Sequence, residues 1–540
     1  MPINNFKWLF VSEIKGIQDY ILATDKLRHI VGASEIIANI TEELYEIVLK
    51  ELGCSKDDYK VMMAAAGRLM LLFSNKEKLE DLMFVWPIII KEYAPGVELV
   101  FDYFDADPNN LQESRRQALE KMTAKRQQPS CSLPIPSLLA ERSRRDGLAA
   151  VVRDKKEGPV SNEIKRKLDV AKSSETLSNL IEKFVPDSND KYSVLKSGSK
   201  WPIDFEDITG FNDKSYMAVV HIDVNSMGIF FRDLGSQLKQ KDAETTLDIN
   251  HKVSESLLDA ANESVQTTVQ TLIEENKELE KILSNNKKFP LRPLVLAGDD
   301  LTFVIKAPYA IRFSESYMFN FSKRAKQKLE DVLNTFSIKL DENTINLKLS
   351  AGITFTKSKF PFKSAYELCE NLCKKGKELS ERKFSTISFY RQTTAACDDL
   401  DSLFEREFKH KYTNTTLELT YKSYALEENQ KLPYINNLTD MVKAFSKLPR
   451  GSLRKMASKM FADKNTVDIA WNRFIEICNT RAPKVVKELK EILQNITNNK
   501  ETPLWQFDNG VYITPLVDAV NLHSVTSNFY KDTEDGGEEQ

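Results

Sequence analysis

The sequence predicts an α+β protein in which two ferredoxin-like units stand in tandem and an all-helical domain follows them. Strand and helix patterns in the order β, α, β, β, α, β fill residues 6–105. The same order recurs over residues 215–382, which indicates an internal duplication. Helical periodicity dominates from about residue 400 to 497. The 540 residues are too many for one hydrophobic core, so several domains are expected.

The first repeat begins with FKWLFVSEI, an apolar run that is typical of a buried strand. The segment GASEIIANITEELYEIVLKELG has helical spacing and ends at a glycine. Two apolar runs, KVMMAAA and RLMLLF, flank Gly67 and predict a hairpin. NKEKLEDLMFVWPIIIKEYA is then expected to be a helix and VELVFDYF a strand. These elements assign the first domain to residues 1–125.

The second repeat has the same elements in the same order. SYMAVVHIDV predicts a strand, residues 243–283 a long helical stretch, and RPLVLA with LTFVIKA a hairpin around Gly298. A helix at 313–336, the strand INLKLSAGITFT and a helix at 363–382 complete the pattern. We assign residues 126–200 to a connector with short helices, 201–395 to the second unit, 396–525 to the helical domain and 526–540 to a disordered acidic tail.

Composition sets broad limits on function. The net charge is −3, from 76 basic and 79 acidic residues, so whole-chain charge gives no argument for nucleic-acid binding. The six cysteines form no CxxC pair, which favours free thiols in a reducing compartment over a zinc site. No run of 18 apolar residues and no signal sequence occur. The protein is therefore expected to be cytoplasmic, without membrane contact.

Carboxylates at two predicted strand ends indicate a metal site. Asp299 and Asp300 lie at the hairpin tip, and Asp223 ends another apolar strand. Mg²⁺ commonly takes one or two carboxylates together with phosphate oxygens, and neighbouring strands lie about 4.8 Å apart. Gly-Asp-Asp alone is also a common tight turn, and Asp223 is what favours the metal interpretation. Two metal ions would activate a 3′-hydroxyl and stabilise a leaving pyrophosphate.

Two segments carry a family resemblance. HIDVNSMG and LVLAGDDLTFVI resemble the metal-binding segments of the palm domain shared by GGDEF-type cyclases and the large polymerase/cyclase subunit of type III CRISPR effector complexes. IKGIQDYILATDKLRHIVGASEII resembles the amino-terminal palm of the CRISPR subunit and favours it over GGDEF proteins. The resemblance covers residues 6–105 and 201–391 and implies two palm domains. KLPRGSLRKM resembles part of the family's carboxy-terminal helical domain.

The resemblance implies a set of metal ligands in the second palm. Asp223, the Val224 carbonyl, Asp299 and Asp300 would hold Mg²⁺ or Mn²⁺, with ATP as the substrate. Gly298 would shape the turn and let phosphate approach closely. Ala297 stands where the family usually has glycine, a change that removes no ligand.

The resemblance also implies nucleotide-binding residues. Lys374 matches a lysine that meets the triphosphate in related palms, although a solvated helix face is an equal alternative. Ser34 would touch nucleotide, or would instead pack or cap a helix. Asn225 replaces a second aspartate and keeps an oxygen for coordination or hydrogen bonding.

Other features of the family are expected to be absent. Arg68 stands in the first hairpin where an acid would be needed, and a cation does not bind metal, so the first palm is expected to be degenerate; Arg68 or Arg28 would meet phosphates. No His-Asp dipeptide occurs, so HD nuclease activity is not expected. Cys131 is the only cysteine in 106–220, so a zinc module between the palms is absent or has lost its metal.

The resemblance implies a nucleotidyltransferase that makes cyclic oligoadenylate-type messengers from ATP in antiviral defence. Expected partners are the crRNA-containing subunits of a type III effector complex and its target RNA. One alternative is a scaffold subunit whose palm is idle. Another is a stand-alone signal synthase, for which a homodimer is conceivable. The ring size, or an adenylate joined to another small molecule, stays open.

Overall fold

The structure is a computed structural model that describes residues 5–65, 67–108, 110–128, 139–173, 179–186, 190–210, 215–239, 241–285, 287–394, 399–412, 415–427, 429 and 431–526. The mixed α/β class predicted from the sequence is confirmed. Apart from Thr526, the predicted acidic tail lies outside the described residues. Among the described helices, none is long and apolar enough to span a membrane.

The chain divides into two compact units. Unit 1 comprises residues 1–207, 226–301 and 320–347, and unit 2 comprises 208–225, 302–319 and 348–540. The strands are β1 Trp8–Lys15, β2 Tyr59–Ala65, β3 Arg68–Phe73, β4 Glu98–Asp105, β5 Val152–Asp154, β6 Gly158–Val160, β7 Met217–Val224, β8 Leu291–Leu296, β9 Asp300–Lys306, β10 Leu349–Thr356, β11 Thr386–Arg391, β12 Lys409–Tyr412, β13 Thr415–Glu418, β14 Tyr424–Ala425, β15 Gln506–Asp508 and β16 Val511–Ile513.

The α-helices are α1 Ile17–Ile21, α2 Leu27–Asn39, α3 Tyr45–Glu51, α4 Lys76–Tyr93, α5 Leu111–Arg126, α6 Asn162–Ser173, α7 Asn179–Glu182, α8 Phe205–Thr209, α9 Met227–Leu238, α10 Ala243–Glu274, α11 Lys277–Ser284, α12 Ala310–Thr335, α13 Glu342–Ile345, α14 Phe362–Leu379, α15 Leu400–Phe408, α16 Ile435–Ser446, α17 Arg450–Ala457, α18 Lys464–Asn479, α19 Pro483–Thr497 and α20 Leu516–Thr526. A π-helical turn, Ile40–Leu44, joins α2 to α3. The helical stretch expected at 243–283 is interrupted between α10 and α11.

An antiparallel sheet of order β2-β3-β1-β4 organises the start of unit 1. Its central strand β1 is buried on both faces because helices cover both. Leu9 and Val11 pack with residues of α5 such as Leu111, whereas Ser12, on the opposite face, accepts a 2.9 Å hydrogen bond from the Trp86 indole of α4. The elements follow the ferredoxin-like order, β, α, β, β, α, β.

Helix α6 of the predicted connector packs closely on α2. A Cβ added at Gly32 would overlap the Lys167 carbonyl, so this crossing requires glycine. Lys167 is 1% exposed, and its ammonium donates 2.6 Å hydrogen bonds to the Tyr20 carbonyl and to Glu163. Helix α6 is therefore part of the packed interior of unit 1.

A six-stranded sheet of order β14-β11-β10-β7-β9-β8 contains the strands of the second repeat. Strand β10 runs antiparallel to β7, with Ser350 opposite Asp223, and parallel to β11. Helix α14 lies directly on β10, because a Cβ added at Gly352 would overlap the Cys369 carbonyl and approach the Cys373 amide nitrogen to 2.7 Å.

The prediction of an all-helical domain over 396–525 is wrong. Helices α16–α20 are present, but β12, β13, β15 and β16 form a four-stranded sheet of order β12-β13-β16-β15. Strands of three or four residues are too short for an alternating pattern to stand out from helical spacing. The parallel pairing of β13 with β16 also joins segments that are far apart in sequence, which local periodicity does not record.

A buried carboxylate in α20 makes stability depend on pH. Asp518 is 5% exposed and accepts hydrogen bonds from the Thr420 hydroxyl (3.0 Å), the Tyr421 amide (3.0 Å) and the Tyr424 hydroxyl (2.6 Å). Burial outweighs these bonds and raises the pKa of Asp518 from 3.8 to about 6. The folded state therefore binds this proton more tightly than the unfolded state, so the free energy of unfolding falls as pH rises from 4 to 6.

We expect Asp518→Asn to remove that slope. Urea unfolding at pH 4.5 and at pH 7 gives the free energy of unfolding at each pH. The decrease in this free energy from pH 4.5 to pH 7 should be roughly 2 kcal/mol smaller in the variant than in wild type. The difference between the two pH values is the readout, because loss of hydrogen bonds lowers the variant's stability at both. Equal pH dependence in the two proteins would show that Asp518 does not titrate in this way.

Candidate active site

Asp223 is the most exposed residue of an otherwise buried strand. Seven of the eight residues of β7 are buried, and Asp223 is the exception, with its side chain 36% exposed. On the same face, His221 Nδ1 lies 3.0 Å from the Thr302 hydroxyl of β9. The strand thus brings its carboxylate to one end of the sheet, as the apolar run followed by an acid predicts.

Lys377 of α14 holds this carboxylate. Its ammonium forms an ion pair with Asp223 and donates a 3.0 Å hydrogen bond to the Val224 carbonyl. Lys377 is 8% exposed, so the lysine is largely shielded from water, whereas the Asp223 side chain stays 36% exposed. One buried cation therefore contacts both groups that the sequence predicts to be metal ligands on β7.

Lys374, predicted to meet a triphosphate, lies elsewhere on the same helix. Its side chain is 60% exposed and pairs with Glu370 at 3.1 Å, one helical turn away. The structure does not bring Lys374 to Asp223, and Lys377 is the residue that sequence reasoning missed. A signal was available: Lys377 follows the buried Cys369 and Cys373 at intervals of four, so it belongs to the inward face of the helix.

Asn225 is fully buried and fixes the backbone after β7. Its amide nitrogen donates to the Lys348 carbonyl at 2.7 Å, its side-chain Nδ2 donates to the Phe384 carbonyl at 3.3 Å, and its carbonyl accepts from Arg382. Its Oδ1 is buried and has no hydrogen-bond partner within the described part of the chain. The oxygen that the prediction required is thus present as an unsatisfied acceptor.

The turn between β8 and β9 is tight and open above its glycine. The Ala297 amide donates to the Asp300 carbonyl and the Asp299 amide to the Ala297 carbonyl, both at 2.9 Å. Gly298 has φ +75°, which L side chains rarely adopt, and an added Cβ would meet no atom within 4 Å. Asp299 and Asp300 are half-buried. An added side chain at Gly298 would thus meet a strained backbone but no neighbouring atom.

Within the described ranges, no three Asp, Glu, His or Cys side chains stand close enough together to hold a metal ion. The three predicted acids thus do not form a ready-made cluster. The oxygens present still have the chemistry that Mg²⁺ prefers: carboxylates, a main-chain carbonyl and the unsatisfied Oδ1 of Asn225. Mg²⁺ usually takes its remaining ligands from water and substrate phosphates, so such a donor set fits the ion.

Ser34 joins two elements of unit 1. It lies in the middle of α2, is 8% exposed, and its hydroxyl donates to the Leu294 carbonyl of β8. A position in the middle of a helix excludes capping. The structure therefore gives Ser34 the packing role that the sequence left open beside nucleotide contact.

The first hairpin contains an ion pair. The register of β1 and β3 sets Glu13 opposite Arg68, and the two side chains pair at 2.6 Å. Arg126 approaches the same carboxylate to 3.4 Å, and the Glu13 side chain is 5% exposed. Two arginines thus neutralise the acid at this strand end, an arrangement that favours the predicted loss of metal binding.

The cysteines of α14 are buried packing residues. The Cys369 thiol donates to the Gly352 carbonyl at 2.9 Å and the Cys373 thiol to the Ser350 carbonyl at 3.1 Å. Burial raises the pKa of Cys369 well above its usual value, which keeps the thiol protonated. Neither Cys369 nor Cys373 forms a disulfide with another described cysteine. Cys131, on which the zinc-module prediction depends, lies outside the described residues.

Comparison with known proteins identifies the domain that carries Asp223 and the acidic turn. Residues 216–385 match the family described as Cas10/Cmr2, second palm domain. No curated protein matches the chain. The sequence-based resemblance to the large palm-domain subunit of type III CRISPR effector complexes is confirmed by the family match.

Similar solved structures share little sequence with the chain. The Csm1–Csm4 cassette in complex with cA3 is 13% identical, with 97% of this chain and 70% of the other covered and a TM-score of 0.49. The cassette in complex with pppApA is also 13% identical, with 97% of this chain and 70% of the other covered and a TM-score of 0.48. Csm1 in T. onnurineus is 13% identical, with 96% of this chain and 70% of the other covered and a TM-score of 0.45.

Proposed function

We propose, from the Cas10/Cmr2-type palm at residues 216–385, that this chain is a metal-dependent nucleotidyltransferase which makes cyclic oligoadenylate-type messengers from ATP. The observation that carries the proposal is the carboxylate of Asp223, held at the end of β7 by the buried Lys377 beside the strand that begins with Asp300. The setting would be antiviral defence of the type III CRISPR kind, with crRNA-containing effector subunits and target RNA as partners.

The order of strands supports a shared site for Asp223 and Asp300. Strands β7 and β9 are neighbours, and the side chains of His221 and Thr302 contact each other across them. Asp223 lies two residues after His221 on β7, and Asp300 lies two residues before Thr302 on β9. The antiparallel pair β1 and β3 has the corresponding positions directly opposite each other, where Glu13 meets Arg68. Carboxylates on neighbouring strands would be about 5 Å apart, a spacing that a divalent ion can bridge.

Asp223, the Val224 carbonyl, Asp299 and Asp300 would hold Mg²⁺ or Mn²⁺. Such an ion, when bound, makes a hydroxyl more nucleophilic and offsets charge on phosphate oxygens. Lys377 orients the Asp223 carboxylate, and the bare backbone at Gly298 leaves space for the triphosphate. The 3′-hydroxyl of one ATP would attack the α-phosphate of another, which forms a phosphodiester and releases pyrophosphate.

The first sheet would be a second, degenerate palm. Its strand order is that of a ferredoxin-like unit, and the place of an acidic metal site is taken by Glu13 with Arg68 and Arg126. With its carboxylate paired to two cations, this hairpin would serve in packing or in phosphate contact and not in metal chemistry.

Incubation of the purified chain with α-labelled ATP and Mn²⁺ tests the proposal. We expect pyrophosphate release together with labelled oligoadenylates that resist phosphatase because they are cyclic. Linear products, or adenylate joined to a second small molecule, would support the nucleotidyltransferase activity but would show that its product is not a cyclic oligoadenylate. Failure to release pyrophosphate, both alone and with co-purified subunits and target RNA, would refute the enzyme.

One observation favours a scaffold role as the second candidate. The predicted acids form no ready-made cluster in the described residues, and Lys377 already contacts two of the predicted ligands. In that case the palm would be idle inside an RNA-guided complex. Native purification with crRNA and small subunits, combined with no pyrophosphate release from the intact complex, would establish this alternative.

Lys377→Ala is expected to lower pyrophosphate release strongly. Without its ammonium, the Asp223 carboxylate loses its fixed position, and misplacement of a reacting group by about 1 Å costs on the order of 100-fold. The matched control is Lys374→Ala on the same helix. Because the Lys374 side chain is exposed, the rate of pyrophosphate release from this variant should stay within about twofold of wild type. Steady-state rates for both variants measure this. A faster Lys377→Ala enzyme would mean that the lysine blocks the site.

A further inference from the structure

A small cavity in unit 1 is lined by cationic side chains that belong to three separate elements. Its volume is about 40 Å³, and its lining includes Arg28 of α2, Lys172 of α6 and Arg292 of β8. The apolar side chains of Val31 and Leu168 complete the wall. A cavity with apolar walls and several cations at one point strengthens any electrostatic interaction within it.

Arg292 is buried, and one of its N–H groups lacks an acceptor within the described part of the chain. It is 3% exposed, and its Nε atom is buried and has no hydrogen-bond partner within the described ranges. Burial lowers the pKa of Arg292 to about 10, and the negative charge of Glu35 opposes this shift. A buried guanidinium N–H group with no acceptor is unfavourable, and arginine in folded proteins is normally matched by a carboxylate or phosphate.

The other two cations are only partly neutralised. Arg28 pairs through Nη2 with Asp204 at 2.8 Å, but its Nε is also buried and has no acceptor among the described residues. Lys172 is 61% exposed on its side chain and stands 3.7 Å from Asp154, a weak surface pair. Each of the two arginines therefore keeps a buried Nε–H group without an acceptor among the described residues.

This cavity is separate from the acidic turn. Arg292 lies four residues before Leu296, the last residue of β8, which places it about 13 Å from that end of the strand at 3.3 Å per residue, and the Gly298 turn follows beyond that end. The two sites also differ in the sign of their charge, because the acidic turn carries negative carboxylates and the cavity is lined by positive guanidinium groups.

We propose that the cavity binds a phosphate group, held chiefly by Arg292 and Arg28, with Lys172 at its mouth. Guanidinium N–H groups bind phosphate oxygens in paired, charge-assisted hydrogen bonds. One water needs about 10–15 Å³, so the cavity holds roughly three water-sized groups, enough for a phosphate group and too little for a nucleoside. The phosphate is either the free ion or the terminal group of a nucleotide whose remainder stays outside. The inference is independent of the proposed transferase activity.

Titration calorimetry with inorganic phosphate, against chloride at equal ionic strength, tests the site in the full-length chain. Arg292→Met keeps the apolar volume of the side chain and should weaken phosphate binding at least about tenfold. Arg454→Met, in which an exposed arginine of α17 is replaced, is the matched control and should bind like wild type. Arg28→Met provides a second variant, with binding weakened several-fold, should Arg292→Met not fold.

AMP distinguishes the source of the phosphate. Binding of AMP that depends on Arg292 assigns the cavity to nucleotide phosphates, whereas binding of phosphate alone assigns it to the free ion. Equal effects of phosphate and chloride on wild type, or unchanged phosphate affinity in Arg292→Met and Arg28→Met, would overturn the proposal.

Discussion

Asp300→Asn is expected to lower pyrophosphate release from ATP at least about 100-fold while the fold stays intact. Asn is nearly isosteric with Asp and keeps an oxygen, but it removes the charge that would hold a divalent ion and offset the developing charge at the phosphate. Asp300 begins β9 directly after the Gly298 turn, and its carbonyl accepts the Ala297 amide. That main-chain bond is retained in the variant, so the turn should persist.

Three further variants separate catalysis from general loss of charge. Asp223→Asn should match Asp300→Asn, and the double variant should be little worse than either, because residues of one site act as a unit. Asp508→Asn, at an exposed position of β15, removes one carboxylate elsewhere and should behave like wild type. Rates of pyrophosphate release report all four. An Asp300→Asn enzyme within a few-fold of wild type would place the chemistry elsewhere.

Gly352→Ala is expected to destabilise the protein by about 3 kcal/mol or more. The added methyl group would overlap the Cys369 carbonyl and lie 2.7 Å from the Cys373 amide nitrogen, both of which belong to the backbone of α14. A helix backbone cannot rotate away as a side chain can, so the helix must move as a whole. The resulting loss of stability should therefore lie at the upper end of what overpacking of a core usually causes. Urea unfolding of wild type and variant measures the difference.

This substitution should also affect the site. Helix α14 carries Lys377, so its displacement from β10 would move the ammonium away from Asp223 and lower activity even where the protein is still folded. Gly451→Ala is the control: it lies in α17 with no atom within 4 Å of an added Cβ, and alanine there should stabilise slightly. Equal stability of Gly352→Ala and wild type would contradict the close packing of α14 on β10.

The sequence predicts the parts of the site that local patterns encode. An apolar run that ends in Asp223 predicts both the strand and its exposed acid, and a glycine between two apolar runs predicts the turn at Gly298. These features depend on alternation and turn chemistry within a few residues. The resemblance of HIDVNSMG and LVLAGDDLTFVI to palm-domain segments depends on the same short patterns, and the family match at residues 216–385 covers both.

Features that depend on contacts distant in sequence were missed. Lys377 reaches Asp223 across 154 positions of chain, and lysine is normally assigned to solvent. The small sheet of β13 and β16 pairs three-residue stretches that carry little periodicity. The packing of α6 on α2 is likewise not encoded locally, because the buried Lys167 donates to the Tyr20 carbonyl across 147 positions of chain. In each case tertiary partners outweigh the local pattern.

Equilibrium binding of labelled ATP, with Mn²⁺ or with EDTA, tests the metal–nucleotide site most directly because it needs no turnover. The wild-type chain and Asp508→Asn should bind ATP in a Mn²⁺-dependent manner, and Asp223→Asn and Asp300→Asn should bind it at least about tenfold more weakly. ATP affinity that is the same in EDTA, or unchanged in both site variants, would contradict a metal site formed by the end of β7 and the start of β9.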